Sequence, residues 1–320
     1  MAKRTDYIWN RIGVAFITVF VTVAFNFVLF RVLPGNAADR IARIPNASPA
    51  LRHALEVQFG LDKPLLIQFL DYLRQTAMGN LGVSFATRQP VADLLWQSFL
   101  NTIPMVSLGT VLALILGIAI GVFSAVRRGT VADHIVTAAS VIFYAFPTQF
   151  LGMMILIAFS GVLPSAGMVD PFLLDNSVIG QAIDIAKHMI MPVLTLVLTL
   201  CAGNVLIVRS AMLETLGEDY ILTAKAKGLS SLKIIWSHAL RNAMLPITTM
   251  VAMSLSSIVT GSILVEVIFS WPGIGQALYQ AVLQRDYPML QGGFLVITIV
   301  VILFNLISDL LYYRLDPRVN

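Results

Sequence analysis

Residues 94–126 read LLWQSFLNTIPMVSLGTVLALILGIAIGVFSAV and contain no charged side chain. A helix that crosses the hydrocarbon core of a bilayer needs about 20 predominantly apolar residues, and this stretch is long enough to cross. The whole chain of 320 residues shares the bias, since 58% of its residues are apolar and 12% are charged. A soluble domain carries roughly 25% charged residues. We therefore predict an all-α protein that crosses a membrane several times.

Working outward from this stretch, five further runs are long and apolar enough to span. The six predicted spans are residues 12–30, a segment within 94–126 that starts near Thr102, and residues 135–163, 189–208, 242–265 and 287–308. The first run is longer than the apolar core of a signal peptide, which has about 7–15 residues. We therefore interpret it as a retained membrane helix. The single cysteine, Cys201, rules out a disulfide within the chain.

Basic residues between the spans predict the orientation, because short cytoplasmic loops are enriched in Lys and Arg. With the N-terminus inside, the two short outer loops hold only Lys187 and Arg285. The inner segments hold Lys3, Arg4, Arg11, Arg127, Arg128, Arg209, Lys225, Lys227, Lys233, Arg241, Arg314 and Arg318. This asymmetry predicts that both termini are cytoplasmic.

The long segment 31–100 is then an extracytoplasmic insertion between the first two spans. Residues 50–58 and 65–77 have helical patterns within it. Pro49 and Pro64 stand where a helix can begin, because the first helical position needs no N–H donor. Gly60, Gly79 and Gly82 mark its turns.

Prolines and polar groups inside the spans have two interpretations. Pro147, in the middle of the third span, bends a helix, either for packing or to line a translocation path with Gln149 facing it. Asn204 is a candidate for the same path or an interhelical hydrogen-bonding residue. An ion-coupled secondary transporter would need ionisable groups near the membrane centre, and the spans offer essentially none, so that class remains a remote alternative.

The longest inner loop, residues 209–246, reads RSAMLETLGEDYILTAKAKGLSSLKIIWSHALRNAMLP. Glu218 and Asp219 supply acids for a helix start, and Gly228 stands at the position where a glycine ends a helix. A second amphipathic piece covers residues 231–240. Such a short, glycine-flanked surface helix suits docking into a cleft on another protein, with Ala224 and Gly228 allowing close approach. The alternative is an interfacial helix that lies on lipid headgroups.

These residues resemble a known family. The run from Tyr220 to Gly228, with HALRNAMLP at residues 238–246, is similar to the "EAA" loop of bacterial ABC importer permeases of the dipeptide/oligopeptide branch. Further segments resemble that branch's motifs: LPGNA at 33–37, FGLDKP at 59–64, GNLGVS at 79–84, EVIFSWPGIG at 266–275 and LDPR at 315–318. The sequence departs from the general loop motif, because Leu222-Thr223-Ala224 replaces Glu-Ala-Ala.

The resemblance implies a type I ABC importer transmembrane domain over residues 1–320, with the insertion at 31–100 and a cytoplasmic coupling loop at 210–241. It implies the first of two homologous permeases in a bacterial inner membrane, paired with two ATP-binding subunits inside and a substrate-binding protein outside. Alternating access would be driven by those ATPases. The coupling residues it implies are Glu214, Gly217, Asp219, Tyr220, Thr223, Ala224, Lys225 and Gly228.

No G-x-x-x-x-G-K-[ST] phosphate loop occurs in the sequence, so we expect no enzymatic activity and place ATP and Mg²⁺ on partner subunits. We expect no cofactor or metal on this chain, contact with lipid, and no nucleic acid. Di- or oligopeptides are the expected substrates. The same branch contains members that resemble importers of nickel complexes, glutathione, opines and oligosaccharides. These compounds remain alternative substrates.

Overall fold

A computed structural model describes residues 2–32, 63–172, 177–256 and 262–315. Within these ranges the chain is helical, and extended pairing is limited to isolated bridges. The helices in chain order are α1 (Ala2–Val32), α2 (Leu65–Ala77), α3 (Val91–Val126), α4 (Val131–Ala145), α5 (Thr148–Phe159), α6 (Val178–Leu216), α7 (Asp219–Ala226), α8 (Ser231–Lys233), α9 (Leu240–Ser256), α10 (Ile263–Ile268), α11 (Ile274–Gln284) and α12 (Tyr287–Leu315). A π-helical segment, Ile234–Ala239, joins α8 to α9. The predicted all-α class is confirmed.

Four of the described helices are long and apolar enough to cross a membrane by themselves. They provide the spans Trp9–Phe30, Val91–Val126, Val178–Leu216 and Tyr287–Ile307, which correspond to the first, second, fourth and sixth predicted spans. α3, the helix that contains the second predicted span, starts at Val91, before the predicted start of that span near Thr102. α6 has 39 residues, so at about 1.5 Å per residue it is roughly 58 Å long. It therefore extends beyond the hydrocarbon core, which is about 30 Å thick.

The third predicted span is broken into two helices rather than simply bent. α4 and α5 lie at 104° to each other, and the residues between them, Phe146 and Pro147, have extended ψ angles of 131° and 133°. Pro147 supplies no N–H, and its ring disfavours the helical conformation of the residue before it. The proline that predicted a bend therefore ends one helix and begins the next.

The fifth predicted span, residues 242–265, is only partly described. α9 ends at Ser256, residues 257–261 lie outside the described ranges, and α10 starts at Ile263. The described helices thus give four spans, or five with the bent pair counted as one. The count of six stays a prediction.

The chain divides into two compact units. Unit 1 comprises Met1–Leu100 and Gly273–Leu303, and unit 2 comprises Asn101–Pro272 and Phe304–Asn320. In unit 1 the predicted helix 65–77 is confirmed as α2, which begins after Pro64. The helix predicted at 50–58 lies outside the described residues.

In unit 1, Asp286 holds the 79–84 motif in place. Its buried carboxylate accepts hydrogen bonds from the Ser84 hydroxyl at 2.5 Å and from the N–H groups of Phe85 and Ala86 at 3.1 and 3.2 Å. It also accepts one from the N–H of Met289, in the first turn of α12, at 3.3 Å. A carboxylate at a helix start satisfies N–H groups that have no partner within the helix. The motif after α2 is therefore tied to the beginning of α12.

In unit 2, small residues let α3 and α6 approach closely. Cβ atoms placed on Gly109, Gly117 and Gly121 would lie 2.9, 2.5 and 2.7 Å from Cβ atoms of α6. These glycines, with the buried Ala113 between them, recur every four residues along one face of α3. Small residues at this spacing are typical of helix packing in membranes, where close backbone approach provides van der Waals contact.

Candidate coupling surface

α7 follows α6 after a tight turn and ends in a Schellman motif. The N–H of Gly217 donates to Glu214 O at 3.1 Å, which closes the last turn of α6. At the other end, Gly228 N–H donates to Lys225 O at 2.9 Å and Leu229 N–H to Ala224 O at 3.3 Å. Gly228 has φ +73°, a left-handed conformation that glycine adopts without a Cβ clash. The predicted helix and its glycine stop are confirmed.

One face of α7 is buried within the same chain. Ile221 is 0% exposed and Ala224 is 6% exposed. Both belong to an apolar cluster that also contains, among others, residues of α3, α6, the π-helical segment and α9: Val122, Ala125, Val208, Met212, Ile234, Ala239, Ala243 and Ile247. We expected Ala224 on the contact face for a partner, and this needs correction. Its small side chain instead lets α7 pack closely on its own unit.

All the other predicted coupling residues are exposed. They are Glu214, Gly217, Asp219, Tyr220, Thr223, Lys225 and Gly228. Leu222, which the sequence analysis did not select, is 61% exposed beside them. The helix therefore offers a mixed polar surface around one large apolar side chain, while its inner face is fixed.

The π-helical segment is a feature that the sequence analysis missed. It was predicted to be helical as part of the amphipathic piece 231–240, but no residue pattern signalled the wider turn. Ile234 and Ala239 are both buried in the same apolar cluster, whereas Trp236 between them is 60% exposed. In an α-helix residues five apart point in different directions, and i→i+5 hydrogen bonding brings them together. The wider turn lets both residues reach the cluster.

An ion pair that the sequence did not reveal links α4 to the C-terminal part of α6. Arg209 donates from Nε to Asp133 Oδ1 at 2.7 Å and from Nη2 to Oδ2 at 2.9 Å. Asp133 also accepts hydrogen bonds from the Ser124 hydroxyl at 2.6 Å and the Gly129 N–H at 3.0 Å. Bidentate Arg–carboxylate pairs are among the stronger hydrogen-bonded contacts. The ends of α3, α4 and α6 are therefore joined one short stretch away from α7.

Two family models together match nearly the whole chain. A family model described as "Binding-protein-dependent transport system inner membrane component" matches residues 117–320. The N-terminal model of the same kind of membrane component matches residues 4–106. The chain belongs to this family of ABC importer permeases.

Similar curated proteins extend over nearly the whole permease. The dipeptide transport system permease protein DppB of Escherichia coli K12 is 36% identical, with 98% of each chain covered. The di/tripeptide permease DppB of Pseudomonas aeruginosa is also 36% identical with the same coverage. The glutathione transport system permease protein GsiC of E. coli K12 is 34% identical over 98% of this chain and 99% of that protein.

A solved structure supports the fold. The MetNI methionine ABC transporter in an inward-facing conformation matches with a TM-score of 0.55 and 20% identity, covering 70% of this permease and 96% of that chain. The helical arrangement is thus that of a type I importer transmembrane domain.

The residues predicted for a translocation path do not share one environment. Pro147 and Gln149, at the break between α4 and α5, are exposed. Asn204 is buried, and its Nδ2 donates to Ala113 O at 3.3 Å. This contact between α6 and α3 is the interhelical role considered above, so only Pro147 and Gln149 remain positioned on an open surface of this permease chain.

The 266–275 motif of the permease forms a packed turn in unit 2 up to Pro272. Glu266 is 0% exposed and accepts hydrogen bonds from the hydroxyls of Thr102 and Ser262, both at 2.9 Å. Trp271 Nε1 donates to Asn101 O at 2.9 Å, and Asn101 Nδ2 donates to Pro272 O at 2.9 Å. Glu266 is therefore a hydrogen-bonded residue of the interior.

Proposed function

We propose that this permease imports di- or oligopeptides across a bacterial inner membrane by alternating access. It does so with a homologous second permease, two ATP-binding subunits on the cytoplasmic side and an extracytoplasmic substrate-binding protein. The family supports the importer class. Two relatives belong to dipeptide and di/tripeptide transport systems, and their substrates support peptides as the substrate here.

The coupling part of this proposal rests on one observation: α7 is anchored on one face and exposed on the other. Ile221 and Ala224 pack into a cluster with residues of α3, α6 and α9, while Tyr220, Leu222 and Thr223 are exposed. A displacement of the exposed face by an ATP-binding subunit therefore moves the ends of three other helices. This is the mechanical link that alternating access requires.

A substitution at the centre of the exposed face tests the docking. Burying a leucine side chain is worth about 1.5–3 kcal/mol, so Leu222→Ser weakens association with the ATP-binding subunits about tenfold or more. The measurement is the affinity of purified ATP-binding subunits for the permease pair in nanodiscs. Leu66→Ser is the matched control, because Leu66 is 71% exposed in α2, on the proposed outer side. Equal affinities for the two variants would count against docking at α7.

Because the chain lacks a phosphate loop, transport depends on the partner subunits. The purified chain alone is expected to show neither ATP hydrolysis nor uphill uptake in proteoliposomes. The complete complex with its binding protein should show both. Uphill uptake by the isolated chain would instead support the secondary-transporter alternative.

Glutathione is the second candidate substrate, because a glutathione permease is 34% identical over nearly the full length. Uptake of a labelled dipeptide by the reconstituted complex, with unlabelled peptides, glutathione and a nickel chelate as competitors, separates the candidates. We expect competition by the peptides. Uptake of labelled glutathione without uptake of the labelled dipeptide, under the same conditions, would reassign the substrate without changing the importer class.

A further inference from the structure

The helix α2 exposes apolar side chains to which the proposed transport function assigns no role. Leu66, Leu70 and Met78 are 71%, 55% and 70% exposed, and Ile67 is 45% exposed. Gln68 is buried on the opposite side, and Phe69 and Tyr72 point towards α1. The first two turns of α2 thus expose large apolar side chains, whereas a helix of a soluble domain exposes its polar face; the last turn exposes Arg74 and Gln75.

Contacts with α1 give the level at which α2 lies. The Phe27 ring packs against Phe69, with centroids 5.2 Å apart, and against Tyr72 at 5.6 Å. The charge-free run of α1 ends at Phe30, before Arg31, so Phe27 is roughly 4.5 Å from that end at about 1.5 Å per residue. α2 therefore packs against the last turn of the span, where the hydrocarbon core meets the headgroups.

Side chains of α1 near its contact with α2 are exposed as well. Phe25 and Val28, which flank Phe27, are 65% and 55% exposed, and only 17% of the apolar window of α1 is buried within the chain. Tyr72 lies with its hydroxyl 3.5 Å from Asn26 Nδ2. This contact fixes the inner side of α2 against α1.

We propose that α2 is an interfacial helix that binds the phospholipid surface. Its exposed Leu66 and Leu70, and Met78 directly after the helix, lie at the boundary between headgroups and acyl chains, as the apolar face of an interfacial helix does. Exposed Arg74 lies in its last turn, within reach of lipid phosphate. This contact with lipid is separate from the transport function. The proposed topology is used only to place α2 at the outer leaflet.

Site-directed spin labelling of the complete complex in nanodiscs tests this proposal. Single cysteines replace Leu66 and Leu70 in a Cys201→Ala background, and accessibility to oxygen, which partitions into lipid, is compared with accessibility to a water-soluble nickel chelate. Gln75→Cys is the matched control: it is exposed on the same helix, but roughly 140° around the axis from Leu70. The oxygen-to-nickel ratio at Leu66 and Leu70 should exceed the ratio at Gln75 several-fold.

Two results would overturn the proposal. Equal ratios at Leu66, Leu70 and Gln75, all favouring nickel, would show that the face meets water. Labels at Leu66 and Leu70 that are shielded from both reagents would show that a protein covers it, and shielding that appears only with the substrate-binding protein would identify that protein as the occupant. Either result leaves the transport assays, and thus the proposed function, unaffected.

Discussion

At the scale of single residues, the Asp133 carboxylate joins three helix ends of unit 2. Its side chain is 3% exposed, whereas that of Arg209 is 23% exposed. Asp133→Asn removes the charge and leaves Arg209 without its bidentate acceptor, and breaking such a pair is destabilising. We expect a lower unfolding temperature for the purified permease in detergent. Asp93→Asn, at an exposed aspartate of the first turn of α3, is the matched control and should leave it nearly unchanged; equal temperatures for both variants would contradict the assigned role.

The glycines of α3 allow a second residue-scale prediction. A Cβ on Gly117 would lie 2.5 Å from the Cβ of Asn204, whereas a Cβ on Gly13 of α1 would meet nothing within 4 Å. Overpacking costs about 1–3 kcal/mol, and glycine within a helix costs about 0.5–1 kcal/mol relative to alanine. Gly117→Ala should therefore destabilise the permease, and Gly13→Ala should be neutral or slightly stabilising. The unfolding temperatures of the two variants, measured side by side, test this expectation. An unchanged unfolding temperature for Gly117→Ala would argue against close α3–α6 packing.

At the scale of elements, the two faces of α7 have different proposed roles: the buried face attaches the helix to its own unit, and the exposed face docks an ATP-binding subunit. Ile221 is fully buried, and Ile→Ala in a core costs about 2–5 kcal/mol, whereas Ile→Val costs about 0.5–1.5 kcal/mol. In the proposed mechanism, Ile221→Ala loosens α7 from its cluster but leaves its outer face available. We expect the ATP-binding subunits still to associate, while stimulation of ATP hydrolysis by the loaded binding protein falls strongly.

The graded control for this prediction is Ile221→Val, which should keep most of the stimulation. Assembly of the complex is measured separately by size-exclusion chromatography. Normal stimulation with Ile221→Ala would show that anchoring through this side chain does not transmit the signal.

At the scale of the whole molecule, the distribution of basic residues predicts the topology. In a Cys201→Ala background, a cysteine at Ser230, after α7, should be labelled by an impermeant maleimide only when the membrane is opened. A cysteine at Thr87, an exposed residue of the insertion, should be labelled on intact spheroplasts. Labelling of the cysteine at position 230 from outside would reverse the predicted topology and place α7 on the side opposite the ATP-binding subunits.

The sequence by itself determined the features that depend on local chemistry. Charge-free runs specify membrane helices because a backbone in hydrocarbon must satisfy its own hydrogen bonds. Pro64 and Gly228 set the ends of α2 and α7 through their own φ preferences, and Pro147 marked the interruption of the third span. The motifs along the chain indicated the family.

Tertiary structure decided which residues face outward and which join distant segments. Ala224 was expected on the docking surface, but packing against a cluster drawn from four other parts of the chain buries it. Asp133 and Arg209 lie far apart in the sequence, so no spacing signalled their ion pair. The π-helical turn lets Ile234 and Ala239 both reach one apolar cluster, whose other members include residues of distant segments. Burial and pairing are properties of neighbours brought together by folding, and local sequence patterns do not contain them.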